Sequence, residues 1–129
     1  MSTVPYRPRR LRALVVDDEP LIRMCTADFL TELNFDTLEA DSGQMAMDLL
    51  ETNTIDLIIT DYVMPGMTGT QLADTVAASN PETIVIIASG GYDVGKSETS
   101  YFVLNKPFTL ADLSSVLTTS GIIQKQPNL

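Results

Sequence analysis

The stretch from Leu57 to Gly69, which reads LIITDYVMPGMTG, constrains the fold of this chain more than any other. It begins as a short, continuous apolar run, which is typical of a strand buried on both faces in a parallel sheet. The run stops at Asp61, and an aspartate at the carboxyl end of such a strand lies where open α/β sheets bind ligands. Asp61 could instead cap a helix, but Pro65, Gly66 and Gly69 favour a tight loop after it. Asp61 is therefore the first candidate for chemistry.

Other segments repeat this strand-and-helix alternation along the chain. Apolar strand patterns cover residues 13–16, 37–40, 84–88 and 101–104, and helical apolar stripes cover residues 20–34, 43–51, 70–78 and 110–117. Such alternation predicts an α/β fold with a doubly wound, five-stranded parallel sheet, strand order 2-1-3-4-5, and helices on both faces. Residues 93–99 are polar and carry no apolar stripe, so the fourth of five possible helices is expected to be short or missing.

Apolar spacing also predicts which side chains face the core. The inward stripe of the first helix is expected to include Leu21 and Cys25, that of the second Met45, and that of the third Ala77. Cys25 is the single cysteine, so it forms no internal disulfide and is expected to be a small buried hydrophobe in a reducing cytoplasm. The predicted domain organisation is a flexible basic leader over residues 1–10, one domain over residues 11–120 and a tail over residues 121–129.

Composition and charge exclude several classes of function. Four of the eight basic residues lie in the first twelve positions, so beyond Arg12 four basic residues face 17 acidic ones, a net charge of −13. A body this acidic repels nucleic acid and suits a cation or a basic protein surface. No apolar run approaches the roughly 20 residues that span a bilayer, so we expect no membrane insertion and a cytoplasmic location. The chain has no histidine, which excludes histidine-based metal sites and triads.

Polar side chains follow four of the predicted strands at the edge where their carboxyl ends meet. They are Asp17 and Asp18 after the first strand, Asp61 after the third, Ser89 after the fourth and Lys106 after the fifth. Clustered carboxylates repel one another, and Mg²⁺ relieves that repulsion because it prefers carboxylate and carbonyl oxygens. A metal, an ammonium and a hydroxyl together match the charge of a phosphoryl group in transfer. An aspartate can itself be the nucleophile and form an aspartyl phosphate.

These segments together resemble the receiver domain of two-component response regulators. The resemblance rests on the sequences VVDDEP (residues 15–20), TDYVMPGMTG (60–69), ASG (88–90) and KPF (106–108), and it covers about residues 11–120. It implies a flavodoxin-like fold and a phosphoacceptor function within a phosphorelay. A histidine kinase or a phosphotransfer protein would donate the phosphoryl group, and a downstream protein would respond to it.

The resemblance also implies a role for each matching residue. Asp61 would accept the phosphoryl group. Asp18 would bind Mg²⁺ directly and Asp17 largely through water, with Asp61 and the backbone carbonyl of Val63 as further ligands. Lys106 would contact the Asp61 carboxylate and later the phosphoryl group. Ser89 would donate its hydroxyl to the phosphoryl group and move its loop, as a population shift between two states.

The chain departs from the family pattern between Ser89 and Lys106. These residues are 17 positions apart, which is fewer than is usual for the family. Val103 stands where receivers commonly carry an aromatic switch residue, so the usual coupling between hydroxyl and aromatic movement is in doubt. The sequence around Ser89 resembles a receiver subgroup in which a tyrosine shortly after the switch hydroxyl, here Tyr92, marks an altered fourth helix. Such a helix would change the output surface.

Three functions remain open from the sequence. The leading one is a phosphoacceptor module, either a single-domain regulator, which the initial Met favours, or part of a longer protein such as a hybrid kinase. It would assist only its own phosphorylation and dephosphorylation and would not be an enzyme for outside substrates. The second is a binding-only scaffold, which the full acidic set and Lys106 disfavour. The third is a Mg²⁺-dependent phosphohydrolase, which often carries an acid two residues after its nucleophile, where this chain has Val63.

Overall fold

The computed structural model describes residues 9–90 and 101–123. The described part contains a five-stranded parallel sheet with strand order β2-β1-β3-β4-β5, and four helices. The strands are β1 (Arg12–Val16), β2 (Asp36–Ala40), β3 (Leu57–Asp61), β4 (Ile84–Ser89) and β5 (Phe102–Asn105). The helices are α1 (Pro20–Glu32), α2 (Gly43–Thr52), α3 (Gly69–Ser79) and α4 (Leu110–Ser120). The predicted fold class and strand order are confirmed.

Two hydrophobic clusters lie on opposite faces of the sheet. Successive side chains of a strand point to opposite faces, so Leu14 and Val16 of β1 join one cluster while Ala13 and Val15 join the other. The first cluster packs under α2 and α3, and the second packs under α1 and α4. The central strands are therefore apolar on both faces, which is why they read as continuous apolar runs.

Reciprocal capping boxes lie at the start of two of the helices. In α3 the Thr68 hydroxyl accepts a hydrogen bond from the Gln71 amide, and the Gln71 side chain accepts one from the Thr68 amide. Thr109 and Asp112 make the same reciprocal pair at the start of α4. These bonds satisfy backbone N–H groups that have no partner inside the helix.

Four of the predicted core positions are wrong. Leu21 is 74% exposed, and Cys25, Met45 and Ala77 are exposed as well. In α1, Thr26 is buried, and its hydroxyl is satisfied because it donates to the Ile22 carbonyl. A threonine satisfied in this way can face the core, so the buried stripe of α1 runs through Thr26, Ala27 and Leu30 and turns Leu21 and Cys25 outward.

Some expectations fall on residues that the structure does not describe. The short fourth helix and Tyr92 belong to residues 91–100, outside the described ranges. At the other end, Arg9 and Arg10 of the predicted leader are described, and they pair with Asp56 and Asp36. Within residues 9–90 and 101–123, none of the helices is long and apolar enough to cross a membrane.

Candidate functional site

The register of the sheet brings the candidate residues to one edge. Asp61 lies opposite Ala88 in the β3–β4 pair, and Ser89 lies opposite Asn105 in the β4–β5 pair. Val16 lies opposite Thr60 in the β1–β3 pair, so Asp17 follows at the same level as Asp61. Because these strands are parallel, their carboxyl ends converge as the sequence predicts.

Three aspartates form a cluster at this edge. One carboxylate oxygen from each of Asp17, Asp18 and Asp61 lies within 4.8 Å of the other two. Asp17 is buried, Asp61 is half-buried and Asp18 is exposed. The cluster therefore opens toward solvent on the side of Asp18, where a hydrated cation can enter.

Lys106 is the cation of this cluster. Its ammonium Nζ donates to Asp61 Oδ1 at 2.8 Å and to Asp17 Oδ2 at 3.3 Å. Burial lowers the pKa of Lys106, but the hydrogen bond to Asp61 and the charges of Asp17 and Asp61 outweigh it and raise that pKa above its usual value. Lys106 thus stays protonated and joins β5 to the ends of β1 and β3.

The pKa of Asp61 responds to opposing influences. Burial raises it above its ordinary value, and the charge of Asp17 adds to that rise, while the hydrogen bond and charge of Lys106 lower it. Lys106 therefore favours the ionised form of a carboxylate that its surroundings disfavour. A second cation beside the carboxylates would act in the same direction.

The donor set fits a hard divalent cation. Asp17 Oδ1 accepts a hydrogen bond from the Glu19 amide at 2.9 Å, and Asp17 Oδ2 faces Lys106, so both oxygens of Asp17 already have partners. Asp18 is open to solvent. Clustered carboxylates with room for water suit Mg²⁺, which keeps part of its hydration shell.

The loop after Asp61 packs closely against the backbone of that residue. The Tyr62 amide donates to the Ala88 carbonyl at 2.9 Å, and the Gly69 amide donates to the Tyr62 carbonyl at 2.8 Å. A Cβ atom on Gly69 would lie 2.5 Å from the Asp61 carbonyl oxygen, closer than real Cβ atoms come. Val63 lies two residues after Asp61 with an exposed side chain, and the role of its carbonyl stays a prediction.

A backbone hydrogen bond joins Ser89 and Lys106. The Lys106 amide donates to the Ser89 carbonyl at 2.7 Å, and the Ser89 side chain is buried at the end of β4. Val103, where the family commonly carries an aromatic residue, is half-buried and lies opposite Ile87 in β4. The structure thus places Ser89 at the same edge as Asp61, and the role of its hydroxyl stays a prediction.

Sequence reasoning placed Gly69 in the tight loop after Asp61, but its close approach to the Asp61 backbone is visible only in the folded loop. One residue beside the site, Arg23, was missed by sequence reasoning. Arg23 donates from Nη1 to the Asp17 carbonyl at 2.8 Å and from Nε to Glu39 at 3.1 Å. Its signal in the sequence is an isolated basic residue in an acidic body, one turn after Glu19.

An apolar groove of about 550 Å³ adjoins the site. Its walls come from α1 and from the segment after β5, and Lys106 lies at its end; the apolar lining is Leu21, Ile22, Cys25, Phe29, Pro107 and Phe108. Leu21 and Cys25, the two α1 residues that were predicted to be buried but are exposed, therefore belong to one surface beside Lys106.

A family model described as the response regulator receiver domain matches residues 13–118 of this chain. The chain belongs to that family. Receiver domains act in two-component signalling, where they bind Mg²⁺ at an acidic pocket and interact with histidine kinases or phosphotransfer proteins and with downstream targets. They are signalling domains in general rather than enzymes.

Known relatives agree with this assignment. The chain is 31% identical over 110 residues to the autoinducer 1 sensor kinase/phosphatase LuxN of Vibrio campbellii, covering 81% of this chain and 13% of LuxN. It is 30% identical over 125 residues to the chemotaxis protein CheY-3 of Vibrio cholerae, covering 84% of this chain and 90% of CheY-3. LuxN is thus a much longer protein in which the matching segment is a small part.

Solved structures share the fold. The signal receiver domain of an HD domain-containing protein from Pseudomonas fluorescens Pf-5 superposes with a TM-score of 0.79 at 25% identity, covering 88% of this chain and 96% of that one. The family and the fold therefore agree with each other and with the geometry of the acidic edge.

Proposed function

We propose that this chain accepts a phosphoryl group on Asp61, with Mg²⁺, from a phosphohistidine of a histidine kinase or phosphotransfer protein. The observation that carries the proposal is the contact of Lys106 Nζ with both Asp61 and Asp17, beside an open acidic cluster. Such an arrangement matches the charges of a phosphoryl group in transfer without supplying an acid for repeated turnover.

The transfer is a displacement at phosphorus. A carboxylate oxygen of Asp61 attacks the phosphorus, a P–O bond forms and the P–N bond to the donor imidazole breaks. The bond's electron pair leaves with the imidazole, which takes a proton. Lys106 lies 2.8 Å from Asp61 Oδ1, within reach of the oxygens of a phosphoryl group on Asp61. Its charge is present before the reaction, so it stabilises the transition state at little reorganisation cost.

The aspartates hold the cation that the phosphoryl group needs. Asp18 is the exposed carboxylate and would bind Mg²⁺ directly, while Asp17, whose oxygens already have partners, would act through water. Asp61 and the Val63 carbonyl would complete the protein ligands. When bound, Mg²⁺ neutralises charge on the transferring phosphoryl group. Val63 offers no proton at the position two residues after Asp61, which disfavours a phosphohydrolase.

Phosphorylation then changes what the chain binds. The new phosphoryl group adds negative charge beside Lys106 and Ser89, and the Lys106 amide already bonds to the Ser89 carbonyl. We expect the Ser89 hydroxyl to donate to the phosphoryl group and to shift the end of β4. Val103 gives no aromatic ring to follow this shift, so the signal passes through the Ser89–Lys106 connection to β5 and on to a protein partner.

The phosphoryl donor contacts the groove beside Lys106. A protein that delivers a phosphohistidine to Asp61 must cover the neighbouring surface, and there the exposed Leu21 and Cys25 provide apolar area. Since the chain spans 13% of LuxN but 90% of CheY-3, both a stand-alone regulator and a domain of a longer protein suit this scheme.

Phosphorylation by acetyl phosphate tests the proposal. The protein is incubated with acetyl phosphate with and without Mg²⁺ and read by intact mass, and one Mg²⁺-dependent phosphate adduct is expected. Asp61→Asn removes the nucleophile with little change in size and should abolish the adduct. Asp48→Asn, on the exposed face of α2, is the matched control and should be labelled like the wild type. An adduct of equal yield on Asp61→Asn would refute the proposal.

A further inference from the structure

Arg23 links three elements beneath the acidic cluster. It lies in α1, and its side chain is 19% exposed. Its Nη1 donates to the backbone carbonyl of Asp17 at the end of β1, and its Nε donates to Glu39 in β2. A guanidinium can make both bonds at once because its N–H groups form a rigid planar fork.

The bond to the Asp17 carbonyl has a consequence for Asp18. The peptide unit that contains the Asp17 carbonyl also contains the amide nitrogen of Asp18, and a peptide unit is planar. Holding that carbonyl therefore fixes the direction in which the chain enters Asp18. Asp17 itself has further anchors, since its amide donates to Ala40 and its carboxylate meets Lys106 and the Glu19 amide. The orientation of Asp18 thus depends on Arg23 through this peptide.

The charge of Arg23 would lower the affinity for Mg²⁺, whereas its hydrogen bond to the Asp17 carbonyl would raise it. A lone cation beside a Mg²⁺ site would repel the metal, but the Glu39 carboxylate lies 3.1 Å from Arg23 and offsets its charge. Its geometric effect and its electrostatic effect on Mg²⁺ affinity therefore have opposite signs, which makes them separable by experiment.

We propose that Arg23 is a positioning residue for the cation site, which orients the Asp17–Asp18 peptide so that the Asp18 carboxylate is held ready for Mg²⁺. This inference rests on the proposed function, since it takes Asp18 as a direct Mg²⁺ ligand. Arg23 acts through the backbone and touches neither the metal nor the phosphoryl group.

Mg²⁺ titration of the unphosphorylated protein tests this inference by calorimetry. Arg23→Met keeps the aliphatic stem and removes both donors and the charge, and we expect its Mg²⁺ affinity to fall about tenfold, as for other groups that orient metal ligands. Equal affinity would overturn the inference. Tighter binding would overturn it too, because it would mean that Arg23 acts only as a repelling charge.

Two further variants separate shape from charge. Arg23→Lys keeps the charge, but its ammonium cannot reproduce the two hydrogen bonds to Asp17 and Glu39, so its Mg²⁺ affinity should fall as well. Wild-type affinity would mean that these two hydrogen bonds do not position Asp18. Glu39→Gln should weaken Mg²⁺ binding only at low salt, because it leaves the charge of Arg23 uncompensated and salt screens that charge. A loss that persists in high salt would assign the effect to Glu39 itself.

The metal-free protein gives an independent readout. In Arg23→Met we expect the backbone amide resonances of Asp18 and Glu19 to shift while those of the α2–α3 face stay in place, and unchanged Asp18 resonances would contradict the inference. Failure of the proposed function looks different. In that case the wild type itself binds no Mg²⁺, or Asp61→Asn is still labelled by acetyl phosphate.

Discussion

Lys106 Nζ lies 2.8 Å from Asp61 Oδ1 and 3.3 Å from Asp17 Oδ2, so one ammonium joins the ends of β1 and β3 from the end of β5. These residues are 45 and 89 positions from Lys106 in sequence. The parallel register alone brings them together, because each follows a strand that ends at the same edge. The same contact compensates the burial of Asp61, and in the proposed function it would provide a cation for an incoming phosphoryl group.

Replacing Lys106 should separate metal binding from phosphoryl transfer. In Lys106→Met the carboxylates lose a neighbouring cation, so Mg²⁺ should bind at least as tightly as in the wild type. Phosphorylation by acetyl phosphate should slow by about 10²-fold, the usual cost of removing one preorganised donor from a transition state. Calorimetry and intact mass measure the two effects, and a wild-type labelling rate would contradict the role of Lys106.

Gly69 should tolerate no side chain without moving the phosphoacceptor loop. In Gly69→Ala the new Cβ would lie 2.5 Å from the Asp61 carbonyl oxygen, which is a backbone atom that cannot swing aside. We expect a loss of about 1–3 kcal/mol in the free energy of unfolding, as in other overpacked sites, together with slower labelling of Asp61. Urea unfolding measures the free energy of unfolding, and intact mass measures the rate of labelling.

Gly66→Ala is the matched control in the same loop. Gly66 has φ of +83° but open space around its Cβ position, so alanine there costs only backbone strain of roughly 1 kcal/mol. Its stability should fall while its labelling stays closer to that of the wild type. If both variants lost labelling equally, the close approach of Gly69 would not be the reason.

The fold was predictable because its strongest signals are local. The strands beside β3 are buried on both faces, so runs such as Ile84–Ala88 are continuously apolar, and their alternation with helices leaves few topologies. The placement of the candidate site residues was predictable for the same reason: Asp61 ends β3, and Lys106 follows β5 directly. Position along a strand is sufficient to place a residue at the edge.

Contacts that depend on several elements at once were not predictable. Periodicity suggested that Cys25 faces the core, but the buried residues of α1 include Thr26, whose hydroxyl donates to the Ile22 carbonyl, and Cys25 is exposed. The hydrogen bond from Arg23 to Glu39 depends on the distance between α1 and β2, and the close approach of Gly69 to the Asp61 carbonyl depends on how its loop folds back. Neither distance is encoded in a local pattern.

The exposure of Cys25 leads to a direct test. Because its side chain lies at the apolar groove beside Lys106, its thiol should react with a small disulfide reagent in the native protein without denaturant. Reaction is followed by intact mass, with Cys25→Ser as the unreactive control. Reaction only after unfolding would mean that Cys25 is buried, as periodicity predicts.

Asp56 should stabilise the fold in a pH-dependent way. Its carboxylate accepts two hydrogen bonds from Arg9 at 2.6 and 2.8 Å and one from the Arg12 amide. The Arg9 hydrogen bond is the main cause of a pKa below the usual value for Asp56. A lowered folded pKa adds stability above the unfolded pKa of about 4, and that stability is lost as pH falls through the folded pKa.

Asp56→Asn should therefore be less stable than the wild type at pH 7, and the difference should shrink below about pH 4. Urea unfolding at a series of pH values measures it. Asp48→Asn serves as the control, since it changes the net charge equally without touching Arg9. A stability gap between Asp56→Asn and wild type that is constant with pH would contradict the ion pair with Arg9.

Tyr101 should titrate unusually late. Its phenol donates to Asp74 Oδ1 at 2.6 Å, and this hydrogen bond is the main cause that raises the pKa of Tyr101 to about 12. The difference in phenolate absorbance between the wild type and Tyr101→Phe should therefore rise near pH 12. In Asp74→Asn, Tyr101 loses the negative partner and should titrate nearer to 10, the ordinary value for tyrosine. Because the hydrogen bond joins the start of β5 to α3, an unchanged titration in Asp74→Asn would mean that the two elements are not connected through these side chains.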